Sequence, residues 1–164
     1  MGLILKGQKG KTPGITLARS WTHTVCHPSN LPTTIAEATF NVNVGEVLVH
    51  LMYGRVTTLI QTQACNTKVT LNPTTGTSGD VASNLNITAD EVGTLYLVEG
   101  DGTALVGVTA GGSFFAVGTP NPFIVNVGTI DIETDATNTG RIQWHVFWEP
   151  LVEGASVVKA SGIE

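Results

Sequence analysis

Arg141-Ile-Gln-Trp-His-Val-Phe-Trp148 sets Ile142, Trp144, Val146 and Trp148 on one side of an extended chain and Gln143, His145 and Phe147 on the other. Successive side chains of a strand point to opposite faces, so this stretch describes a β-strand with one face in a core. The same alternation recurs upstream. Ile130 and Ile132 alternate with Asp131 and Glu133, and Phe40, Val42 and Val44 alternate with Asn41 and Asn43. Val47–Tyr53 reads as a strand buried on both faces, and Gly54-Arg55 leads from it into Val56–Gln63, where Thr and apolar residues mix. Thr67–Leu71, Val81–Thr88 and Phe123–Val127 read as further strands, and Phe114–Val117 as a short one. Gly93–Glu99 and Thr103–Thr109 flank Gly100-Asp101-Gly102 as a hairpin, since glycine supplies the positive φ that tight turns need.

Eight to ten strands at this spacing predict an all-β chain folded as a single β-sandwich. The long connections 27–34 and 110–122 favour jelly-roll-like or Greek-key wiring over a plain meander. The expected organisation is an N-terminal arm with a lead-in strand and loop over 1–34, the sandwich over 35–150, and a C-terminal tail over 151–164.

Charge divides the chain unevenly. Lys6, Lys9, Lys11 and Arg19 are half of its eight basic residues, and no acid precedes Glu37. The remainder holds four basic and all thirteen acidic residues. A basic, glycine-spaced, extended arm therefore precedes an acidic body. Only 13% of residues are charged, against about 25% in ordinary soluble domains, which suits a surface partly covered by partners. The net charge of −5 argues against nucleic-acid binding by the body. No apolar run reaches the roughly 20 residues of a bilayer span, and the opening Met-Gly-Leu-Ile-Leu-Lys is too short for a signal peptide. A cytoplasmic site of synthesis is expected, and with it reduced thiols at Cys26 and Cys65.

No chemical signature stands out. His23, Cys26 and His27 form an H-x-x-C-H run, but zinc needs four ligands and a second pair is missing. No serine sits in a G-x-S-x-G elbow, and no phosphate loop is present, so neither an enzyme nor a cofactor is expected. Trp21, Tyr53, Trp144 and Trp148 could stack on a sugar, although Trp144 and Trp148 share a face with Ile142 and Val146 and fit a core better. Asp131, Glu133 and Asp135 occupy alternate positions. They read as a solvated strand face, as a hard-cation site, or as the receiver of a basic arm.

Several phrases carry a resemblance. Gly45-Glu-Val-Leu-Val-His-Leu-Met-Tyr-Gly-Arg-Val-Thr-Thr58, Asn66-Thr-Lys68, Asn72-Pro-Thr-Thr-Gly76, Val92-Gly-Thr-Leu-Tyr96 and Gly140-Arg-Ile-Gln-Trp-His-Val-Phe-Trp-Glu-Pro-Leu151 resemble small β-rich structural proteins of tailed bacteriophages. They are similar in style to capsid decoration, or cement, proteins. The resemblance spans roughly residues 40–155. It implies a virion protein made in the host cytoplasm that binds the outside of the head as a homo-oligomer, dimer or trimer, with the major capsid protein as partner. The residues expected to meet the capsid or a partner are Lys6, Lys9, Lys11 and Arg19 with Asp131, Glu133 and Asp135. A tail or baseplate component, or a carbohydrate-binding β-sandwich module, is the alternative.

Overall fold

Arg141–Pro150 is the second-longest strand of the molecule, and it pairs along its length with the longest, Val47–Thr58. The computed structural model describes residues 21–27, 29–32, 35–112 and 120–161, and these contain twelve strands and no helix. In chain order the strands are β1 (Thr22–Val25), β2 (Ser29–Asn30), β3 (Glu37–Asn43), β4 (Val47–Thr58), β5 (Asn66–Pro73) and β6 (Gly79–Asn86). They continue as β7 (Leu95–Val98), β8 (Val106–Val108), β9 (Phe123–Val125), β10 (Gly128–Thr134), β11 (Arg141–Pro150) and β12 (Ser156–Lys159).

Sheet A has the order β1-β11-β4-β7-β8, with β2 also pairing β11 and β9 also pairing β4; sheet B has the order β12-β3-β10-β5-β6. Every ladder between these strands is antiparallel. Most neighbours are far apart in sequence, so hairpins account for little of either sheet.

The alternation of β11 is realised: Ile142, Trp144, Val146 and Trp148 are buried. They join Val47, Val49, Met52 and Val56 of β4 from sheet A, and Phe40, Val42, Val69, Ile130, Ile132 and Val157 from sheet B, in one hydrophobic cluster. A cluster fed by both sheets means that they pack face to face, as a β-sandwich. Each large side chain enclosed there contributes about 1.5–3 kcal/mol over leaving it in water.

The sandwich is seamed at its sides. Beside β6, Gly102 N–H donates to Val81 O, Ser83 N–H to Thr103 O and Leu105 N–H to Ser83 O. At the opposite corner Thr24 Oγ1 donates to Val157 O at 2.9 Å, tying β1 to β12. An uncovered edge would template pairing with another chain, and the contacts beside β6 take up part of that edge.

Four expectations need correction. β4 is one strand running through Gly54, because the missing side chain leaves room for the core: a Cβ there would lie 2.9 Å from Ile142 Cγ2 and 3.0 Å from a Trp144 ring carbon. β4 is not buried on both faces; a register shift opposite Phe147/Trp148 leaves both His50 and Leu51 half-buried. The Gly100–Gly102 hairpin is wider than expected, since β7 ends at Val98 and β8 starts at Val106 while Thr103–Leu105 are drawn onto β6. Finally, the segments set apart from the sandwich contribute to it: β1 and β2 lie before residue 35, and β12 lies in the expected tail with Ala155, Val157 and Ala160 buried. Residues 1–20, which hold the arm, and the proposed Phe114–Val117 strand lie outside the described residues.

Candidate interaction surfaces

The outer face of sheet B is built by β10, β5 and β6. Ile130 and Ile132 point into the core, so Asp131 and Glu133 point out, and the register sets Asp131 beside Thr70 and Glu133 beside Lys68. Asp80 of β6 lies opposite Thr70 and accepts its hydroxyl at 2.8 Å. Lys68 Nζ stands 3.3 Å from both Asp80 Oδ1 and Glu133 Oε2. Burial opposes its charge, but hydrogen bonds to those two carboxylates hold Lys68 above its ordinary value. Asp131 is only 5% exposed, and its Oδ1 has no hydrogen-bond partner.

Asp135 does not join this row. It follows β10, and its carboxylate accepts Asn66 N–H at 2.7 Å and Asn66 Nδ2 at 2.5 Å. Those bonds hold Asp135 below its ordinary value and fix the turn onto β5. The structure thus brings Asp131 and Glu133 together with Lys68, Thr70 and Asp80, three residues that sequence reading missed. Their signal was available only through register, since Lys68 is 65 positions from Glu133 in sequence.

The outer face of sheet A is aromatic. His23 of β1 stacks on Phe147 of β11 with centroids 4.3 Å apart, and Tyr53 of β4 stacks on His145 at 4.6 Å. His23 Nε2 and His145 Nδ1 are 3.1 Å apart, a hydrogen bond between two imidazoles. His145 is held below its ordinary value by burial, by His23 and by Arg55. Nearby, Trp21 stacks on His50 at 4.5 Å, and His50 Nε2 lies 3.4 Å from Glu149 Oε1, near enough for an ion pair but outside hydrogen-bond geometry. Interplanar angles of 5–18° show that these rings stand side by side and cover one another's faces.

The H-x-x-C-H run is split by strand alternation. His23 joins the outer stack, while Cys26 Sγ is buried and accepts Trp144 N–H at 3.1 Å. Cys26 and Cys65 are both buried free thiols, and burial pushes both above the ordinary thiol value. Among the described residues no group of three His, Cys, Asp or Glu side chains could hold a metal ion, the acidic row included. Trp144 and Trp148 are in the core, at 1% and 5% exposure, and offer no sugar platform.

At one end of the sandwich apolar side chains are exposed beside Glu46 and Glu153. Val44, 72% exposed, has φ +70°, and Leu151 and Val152 beside it are 46% and 47% exposed. A β-branched residue in the left-handed region is strained by about 1–3 kcal/mol, and here its side chain gains no burial in return. Among known proteins, the chain matches no protein family, no curated protein and no solved structure.

Proposed function

We propose that this chain is a virion structural protein: a decoration, or cement, protein that binds the outer surface of a tailed-phage head and braces the shell. The observation that carries the reading is the division of charge, with four cations and no acid in residues 1–20 and thirteen acids in the rest. Such an arm is suited to gripping acidic loops of a major capsid protein, and avidity from a homo-oligomer on a repeating lattice multiplies a weak grip.

Other features support it. The two longest phrases of the resemblance are β4 and β11, the central pair of sheet A. The exposed apolar side chains around Val44 and Val152 are a ready contact surface. The reading takes the wiring as jelly-roll-like or Greek-key and places the finished protein on the virion. It assigns the protein no catalysis, nucleic acid or membrane. A carbohydrate-binding module is the second reading, because sugars stack on open ring faces and His23, Phe147, His145 and Tyr53 cover one another's, which leaves the half-exposed Trp21 as its candidate platform.

The test is a particle-binding assay with the full chain in which Lys6, Lys9, Lys11 and Arg19 are all changed to Gln. Loss of binding to intact heads, with hundreds of wild-type copies per particle by quantitative mass spectrometry, is the expected result. Only a handful of copies would move the protein to the tail or baseplate. Unchanged binding by the neutralised arm would remove the arm from the mechanism.

A further inference from the structure

Asp131 is the only charged side chain among the described residues that falls in the buried set, and one of its carboxylate oxygens is unpartnered. A buried charge is tolerated when it is paired, and removing its partner is costly. The donors nearby are already committed. Thr70 gives its hydroxyl to Asp80, and Lys68 is shared between Asp80 and Glu133. Asp80 and Glu133 thus share the one ammonium on this face, and Asp131 is left outside that pairing with a free acceptor. The three carboxylates do not converge as metal ligands do. What fits is a second ammonium on a flexible stem, a compact point charge that tolerates loose geometry. The long side chains bordering Asp131 are partly exposed, 24% for Lys68 and 35% for Glu133, so a rotamer change opens the way between them.

We infer that the outer face of sheet B is a seat for a lysine ammonium, with Asp131 at its floor, and that the occupant is the chain's own arm through Lys6, Lys9 or Lys11. Chain length decides among the arm's cations. Trp21 lies against His50 on the outer face of sheet A, the opposite side of the sandwich. Arg19 is two residues from it and spans only about 7 Å of chain. Lys11 and Lys6 are 10 and 15 residues away, roughly 33 and 50 Å of extended chain, against sheets stacked about 10 Å apart. Tethering also supplies the lysines at an effective concentration in the millimolar range, which a second molecule would have to match. The inference needs nothing from the capsid reading. Where that reading holds, the seat gives the arm a resting place that a shell would compete for.

The experiment is a double-mutant cycle on the full chain, read as the urea midpoint. Asp131→Asn keeps the shape and removes the charge, and Lys6→Gln/Lys9→Gln/Lys11→Gln empties the arm. Asp131→Asn is expected to lower the midpoint in the wild-type arm and to raise it in the neutralised arm, where the carboxylate is only a burden. A rise in both backgrounds, or shifts that simply add, would overturn the seat. The coupling should persist unchanged over a hundred-fold dilution. Coupling that fades on dilution would place a neighbour's arm there and overturn the intramolecular occupant.

Discussion

The two outer faces of this sandwich are made from the same strand grammar and are finished in opposite ways. Sheet A covers its outer side with rings: His23, Phe147, His145 and Tyr53 lean on one another across β1, β11 and β4. Sheet B covers its outer side with charge: Lys68, Asp80, Asp131 and Glu133 across β5, β6 and β10. Alternation alone decides which residues face outward. What those residues do is decided by the strands placed beside them. Rings stacked over a half-buried face contribute through area and dispersion, whereas partly exposed ion pairs contribute through a Coulomb term that water and salt weaken.

The largest effect that separates the faces is expected from Phe147→Ala. It removes the ring under His23 and should cost about 2 kcal/mol in urea unfolding, less than a fully buried Phe. A cost no larger than that of a surface substitution would mean that the stack is decoration. Acid comes next in size and acts through sheet A. The folded protein holds His145 below its ordinary 6.5, so the unfolded chain takes up the proton more readily. Stability is therefore full above about pH 6.5 and declines as the pH falls below it. Comparing pH-dependent melting of the wild type with that of His145→Gln should show the imidazole's share of the decline gone; identical slopes would refute it. The smallest effect is on sheet B, where Lys68→Met should cost less than about 1 kcal/mol and matter less still in high salt. A loss as large as that from Phe147→Ala would erase the contrast.

Much of the fold was legible because it rests on period-two alternation. β11 was readable from four apolar residues at every second position, β3 from Phe40 and Val42, and β10 from Ile130 and Ile132. Gly54 misled because glycine in a strand weakens the pattern, and only the Trp144 ring that packs over it explains its presence. β12 escaped notice because four residues, Ser156–Lys159, are too few to establish a period, yet pairing with β3 makes them a strand. The surfaces were legible only in part. Asp131 and Glu133 could be placed on one face from spacing, but Lys68 and Asp80 reach them through register. The His23–His145 bond joins residues 122 positions apart. Sequence distance, not chemistry, hid them.

The chain order of the paired strands carries a consequence for synthesis. β3 and β4 leave the ribosome early, but β3 lies between β10 and β12, and β4 between β11 and the β7/β9 side. At about 5–20 residues per second, β3 and β4 wait several seconds or more before residues 128–159 emerge to cover them. During that interval Phe40, Val42, Val47 and Val49 lack the share of their cover that β10, β11 and β12 supply, and incompletely covered apolar surface of this kind favours aggregation. A stop codon that removes only β12 should therefore lower the soluble fraction relative to the full chain, since β12, the last strand among the described residues, also closes sheet B at β3.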